Sequence, residues 1–150
     1  MKGARMASTS TANTRTPAQM FALVFGVVYL LVGIVGFFVT GFDGFAAKSF
    51  AEKLILFPLN PLHNIVHIAI GALWIGAAAK HATAKSTNML IGVVYALVAV
   101  LGIFGVLKFL AIKDAASADN YLHLATAALA IYFGSAGAEG TTTGRATTTA

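Results

Sequence analysis

Ala18-Gln-Met-Phe-Ala-Leu-Val-Phe-Gly-Val-Val-Tyr-Leu-Leu-Val-Gly-Ile-Val-Gly-Phe-Phe-Val-Thr40 contains no charged side chain. A helix needs about 20 apolar residues to cross the hydrocarbon core of a bilayer, and this run supplies them. Three further stretches are comparably poor in charge: residues 61–79, 88–110 and 118–136. Lipid offers the backbone no hydrogen bonds, so each span must be a helix or part of a closed barrel. Continuous apolar runs favour helix, because barrel strands alternate with polar residues. The first run is too long for the apolar region of a signal peptide, and three more follow it. The sequence therefore predicts an all-α membrane protein with four transmembrane helices over residues 18–136. Residues 1–17 and 137–150 are rich in Ser, Thr, Ala and Gly. These tails read as disordered, since they bury too little apolar surface to offset the entropy of ordering.

Composition agrees. Apolar residues make up 58% of the 150-residue chain and charged residues 10%, against about 25% charged in a typical soluble domain. The chain has no cysteine, which excludes disulfides, thiolate metal sites and cysteine nucleophiles. Its formal charge is +5, but the basic residues form no patch interleaved with aromatics, so nucleic acid is not an expected partner. In a membrane protein the Lys and Arg positions report topology. Lys2, Arg5, Arg15, Lys80, Lys85 and Arg145 fall on one side; Lys48, Lys53, Lys108 and Lys113 fall on the other. The excess places both termini in the cytoplasm. The expected surroundings are the lipid bilayer, other membrane proteins or further copies of the chain.

Between the first two spans, Phe50, Leu54 and Phe57 stand at helical spacing among Lys48, Glu52 and Lys53. Two readings of residues 45–57 are open: a short amphipathic helix lying at the interface, or irregular loop.

The chain also repeats itself. Phe25-Gly-Val-Val-Tyr-Leu-Leu31 matches Ile91-Gly-Val-Val-Tyr-Ala-Leu97, and Gly36 falls on Gly102. His63-Asn-Ile-Val-His67 matches Asp119-Asn-Tyr-Leu-His123. Both copies enter the membrane from the same side, which predicts two tandem parallel two-helix repeats. Gly26, Gly33, Gly36, Gly71, Gly76, Gly92 and Gly102 would allow helices to approach closely.

The polar residues gather at the outer ends of the second and fourth spans. Asn60-Pro61 is a helix start, with Asn as N-cap and Pro at the first helical position. His63 and His67 then share one face of a helix, as do Asp119 and His123. If the repeats face each other, these four residues form one cluster, with Asn64 and Asn120 beside it. Three readings are open. The cluster is a hydrogen-bond network locking the repeats together, at roughly 0.6 kcal/mol per bond. Alternatively it is a cofactor site: three imidazoles and a carboxylate suit zinc or another borderline transition metal, or His67 and His123 ligate a haem. The third reading is a proton or ion pathway in a small transporter or channel, although no charge sits at mid-span.

Trp74 reads as an interfacial anchor, and His81 as a solvated loop residue. Tyr29 and Tyr95 stand midway through their spans, where each hydroxyl needs a partner. There is no Gly-rich phosphate loop, serine nucleophile or carboxylate pair suited to acid–base work, so the expected role is non-enzymatic: a small structural or accessory membrane subunit.

Asn60-Pro-Leu-His-Asn-Ile-Val-His67, Ala118-Asp-Asn-Tyr-Leu-His123 and the two Gly-Val-Val-Tyr segments resemble the bacterial membrane family catalogued as domain of unknown function 4383. The resemblance covers roughly Ala18 to Gly134. It implies a four-helix protein of a bacterial inner membrane and brings no activity with it.

Overall fold

The computed structural model describes residues 14–46 and 50–136. Four helices run through them: α1 (Pro17–Thr40), α2 (Pro61–Ala77), α3 (His81–Ile103) and α4 (Ala118–Ser135). Thr16 and Pro17 are not tail: they start α1. The Thr16 side chain accepts from the Gln19 backbone while the Gln19 side chain accepts from the Thr16 N–H, with Pro17 at the first helical position. This reciprocal cap satisfies two orphan donors. The helix stops at Gly41, whose φ of 63° suits a residue without Cβ. At α2, Asn60 Oδ1 accepts from the His63 backbone N–H at 2.8 Å, and Pro61 follows as the first helical residue.

α3 starts at His81, well before Asn88, and ends at Ile103 rather than 110. Thr83, Ser86 and Thr87 are compatible with helix although they are not apolar, and Gly105 at φ 68° ends it. A 3-10 turn at Lys108–Leu110 and Ala111 in the left-handed region (φ 62°) then lead to α4. α1 and α3 are long and apolar enough to cross a membrane; α2 is a shorter apolar helix. α4 carries Asp119, Asn120, His123 and Thr126, which lower its apolar character.

The amphipathic helix considered for residues 45–57 does not form among the described residues. Lys53–Leu54 (β1) pairs antiparallel with Phe57–Pro58 (β2), Leu54 opposite Phe57. Leu54 and Phe57 thus meet across a hairpin instead of along a helix face. The turn holds Ile55 at φ 61°, a strained setting for a β-branched residue. Lys48 lies outside the described residues.

α1 packs chiefly on α2, and α3 chiefly on α4; contacts between these two hairpins are fewer, and the α2 and α4 backbones barely approach each other. Along α1 the buried residues include Ala22, Gly26, Tyr29, Gly33 and Gly36; along α3 they include Asn88, Gly92, Tyr95, Ala99 and Gly102. Both series alternate steps of four and three, the spacing of a left-handed packing seam. A Cβ at Gly71 would stand 2.5 Å from Leu30 N and 2.7 Å from Gly26 O. The backbones of α1 and α2 touch there, and only glycine fits.

The space between the hairpins is filled by rings. Trp74 is fully buried and meets Phe21, Phe25, Tyr29 and Tyr95. It is therefore not an interfacial anchor. Its Nε1 donates to Asn88 Oδ1 at 3.0 Å, and Asn88 Nδ2 donates to Ala18 O at 3.1 Å. His81 is not simply solvated either. It is half-buried, with Nδ1 2.7 Å from Thr16 Oγ1.

Candidate metal centre

Each member of the polar group is placed by its helix. His63 and His67 stand one turn apart on α2, with ring centroids 4.5 Å apart. Asp119 and His123 stand one turn apart on α4. The inward faces of both helices bring His63 to within 6.3 Å of His123, ring to ring. One ring nitrogen from each of His63, His67 and His123 falls within 4.8 Å of the other two. All three imidazoles are buried, at 2%, 6% and 3% exposure.

Buried polar atoms in folded proteins are nearly always hydrogen-bonded. Here His63 Nδ1, His67 Nδ1 and His123 Nδ1 have no protein partner, and neither does Asp119 Oδ2. The His63 ring also faces the backbone carbonyls of Pro58 and Leu110.

The asparagines serve as framework. Asn60 Nδ2 donates to Phe109 O at 2.7 Å, which ties the start of α2 to the 3-10 turn. Asn64 Nδ2 donates to Thr40 Oγ1 at 2.9 Å, and Asn120 Nδ2 to Asp114 O at 2.8 Å. The Oδ1 atoms of Asn64 and Asn120 press against Gly36 and Gly102, where a Cβ would overlap them. Gly26 faces Gly71 and Ile75 on α2, and Gly92 faces Ala127 and Ile131 on α4. Gly76 faces open space. Leu59, just before α2, and Leu107, Ala111 and Ile112, between α3 and α4, are buried as well.

On the other side Tyr29 packs on His67 and Tyr95 on His123, with ring centroids 5.1 Å and 4.9 Å apart. The Tyr29 hydroxyl lies 3.1 Å from Thr126 Oγ1. Sequence reading missed Thr126 and Asn88; their one signal was an uncharged polar residue within an apolar helix. The imidazoles are almost fully buried and the two tyrosines pack edge-on against His67 and His123, which leaves little room for a group as large as a porphyrin. A single ion fits better. Tetrahedral zinc with Zn–N bonds of 2.0–2.1 Å sets its nitrogens about 3.3 Å apart. The ring nitrogens lie within 4.8 Å of one another, so binding would require the rings to draw together around the ion.

The chain belongs to the family described as "Domain of unknown function (DUF4383)", whose pattern covers residues 19–136. No curated protein and no solved structure matches it.

Proposed function

We propose that this chain is a four-span membrane protein whose two helical hairpins, tandem parallel repeats, are joined by a transition-metal ion held by His63, His67 and His123. Zinc, or a similar borderline divalent ion, suits three neutral imidazoles. The convergence of three buried rings with unpaired nitrogens carries the reading. A pure hydrogen-bond network would pair those nitrogens across the helices, whereas an ion uses their lone pairs.

The membrane part rests on where the apolar surface points. Only 28% of the apolar window of α1 and 33% of that of α3 is buried, whereas the core helix of a soluble protein hides most of its length. The exposed residues are large and apolar on all four helices: Val24 and Leu31, Leu73, Leu90 and Leu97, and Leu129. The buried seams hold glycine, tyrosine and polar side chains instead. That is the distribution expected when lipid surrounds the bundle and small residues pack its helices. The Lys and Arg excess orients both termini toward the cytoplasm of a bacterial inner membrane, with the histidines near the outer face.

The role this supports is structural or accessory. The α2 and α4 backbones barely approach each other, so an ion shared by their histidines fastens the hairpins where direct packing is thin. The test is metal analysis by mass spectrometry on protein extracted gently from its membrane, without chelator or polyhistidine tag. About one equivalent of zinc or a related ion is expected, lost in His67→Ala and in His123→Ala. Protein that carries no ion and takes up none on titration overturns the reading.

A further inference from the structure

We infer that Asp119 is the fourth donor to this ion and closes its coordination shell, an assignment that rests on the three-histidine reading above. Two independent observations lead to it.

The first is positional. Asn64 lies against Gly36 as Asn120 lies against Gly102. Tyr29 stands on His67 as Tyr95 stands on His123, at nearly equal distances. These pairs set α2 and α4 in matching registers. In that register the residue before Asn64 is His63, and the residue before Asn120 is Asp119. His63 sits one turn before His67 and points into the cluster; Asp119 sits one turn before His123, at the corresponding position of α4. Sequence has put a carboxylate where the other hairpin has its second imidazole.

The second is chemical. Asp119 is 2% exposed, and its Oδ2 has no protein partner. An acidic residue in the first turn of a helix is favourable simply because it meets the positive end of the helix dipole. That role suits a solvated side chain and does not account for a buried unpaired oxygen, which is costly and more so when charged. A divalent ion beside it removes that cost. In return the carboxylate offsets half the charge of an ion that three neutral imidazoles leave uncompensated. Asp119 stands outside the trio that already lies within 4.8 Å, so the side chain swings inward as the ion binds. The product is a four-coordinate site with no open position, the pattern of structural rather than catalytic zinc.

The experiment uses full-length protein in detergent, stripped with chelator and titrated with Co(II), whose visible absorption reports donor set and coordination number. Wild type should give the intense bands of a four-coordinate ion. Asp119→Asn should still bind through the histidines, but at least about tenfold more weakly and with shifted bands. Asp119→His should restore tight binding with an all-nitrogen spectrum, which shows that the position reaches the ion even if Asp119→Asn folds poorly. If Asp119→Asn binds Co(II) with wild-type affinity and spectrum, Asp119 is not a ligand and the three-histidine site stands without it. If wild type takes up no Co(II), both assignments fall.

Discussion

The indole N–H of Trp74 on α2 is satisfied by a single side chain, Asn88 on α3, at 3.0 Å and away from solvent. Asn88 in turn donates to the Ala18 carbonyl at the start of α1. One amide thus joins three helices at the end of the bundle opposite the histidines. Replacing Asn88 by Ala strands the indole donor, at a cost of about 1–3 kcal/mol. Thermal unfolding in detergent should show a clearly lower midpoint with unchanged metal content. An unchanged midpoint would mean that the Trp74 contact carries no weight.

Two glycines on α2 separate close packing from mere abundance of glycine. At Gly71 a methyl group would meet the α1 backbone, while at Gly76 it would meet nothing. Overpacking of this kind typically costs about 1–3 kcal/mol. Gly71→Ala should therefore destabilise the bundle strongly. Gly76→Ala should be neutral or stabilising, because Gly within a helix is worse than Ala by roughly 0.5–1 kcal/mol. Equal midpoints for the two variants would contradict the packing described.

Asn60 performs two separable tasks. Its Oδ1 caps α2, and its Nδ2 holds the Phe109 carbonyl of the 3-10 turn that leads to α4. Asn60→Asp keeps the acceptor and removes the donor. Helix content should stay constant by circular dichroism, while a chelator should strip the ion several times faster than from wild type. Equal stripping rates would show that this tie between α2 and the 3-10 turn does not govern access.

Tyr29→Phe deletes the hydroxyl that meets Thr126 and leaves the ring on His67. The expected loss is about 0.5–1.5 kcal/mol of stability. Metal stoichiometry should hold, since the imidazole keeps its packing. Loss of the ion in this variant would make the hydroxyl part of the site.

Long apolar runs and caps were legible in the sequence because they depend on neighbours in the chain. The Asn60-Pro61 start and the approach of His63, His67 and His123 followed from helical spacing and the matched motifs. Other features depend on partners far away. Trp74 resembled a surface anchor by its place near a helix end, and only the facing Asn88 shows why it is buried. Helical spacing of Phe50, Leu54 and Phe57 is equally compatible with the hairpin that forms, because Leu54 and Phe57 are cross-strand partners there. The start of α3 was obscured because Thr83, Ser86 and Thr87 are polar yet helical, so hydropathy located the apolar part and missed the first two turns. Spacing alone groups Asp119 with the histidines, and its unpaired oxygen is visible only in three dimensions.

The three clustered histidines are divided unequally along the chain: two on α2, and one on α4, the last of the four described helices. During synthesis the ribosome releases the first pair long before the third. A chain that stalls after α3 has no complete binding site, and one whose α4 fails to dock has none either. On the proposed three-histidine reading, ion uptake then waits for α4 to dock, and occupancy reports that both hairpins have come together.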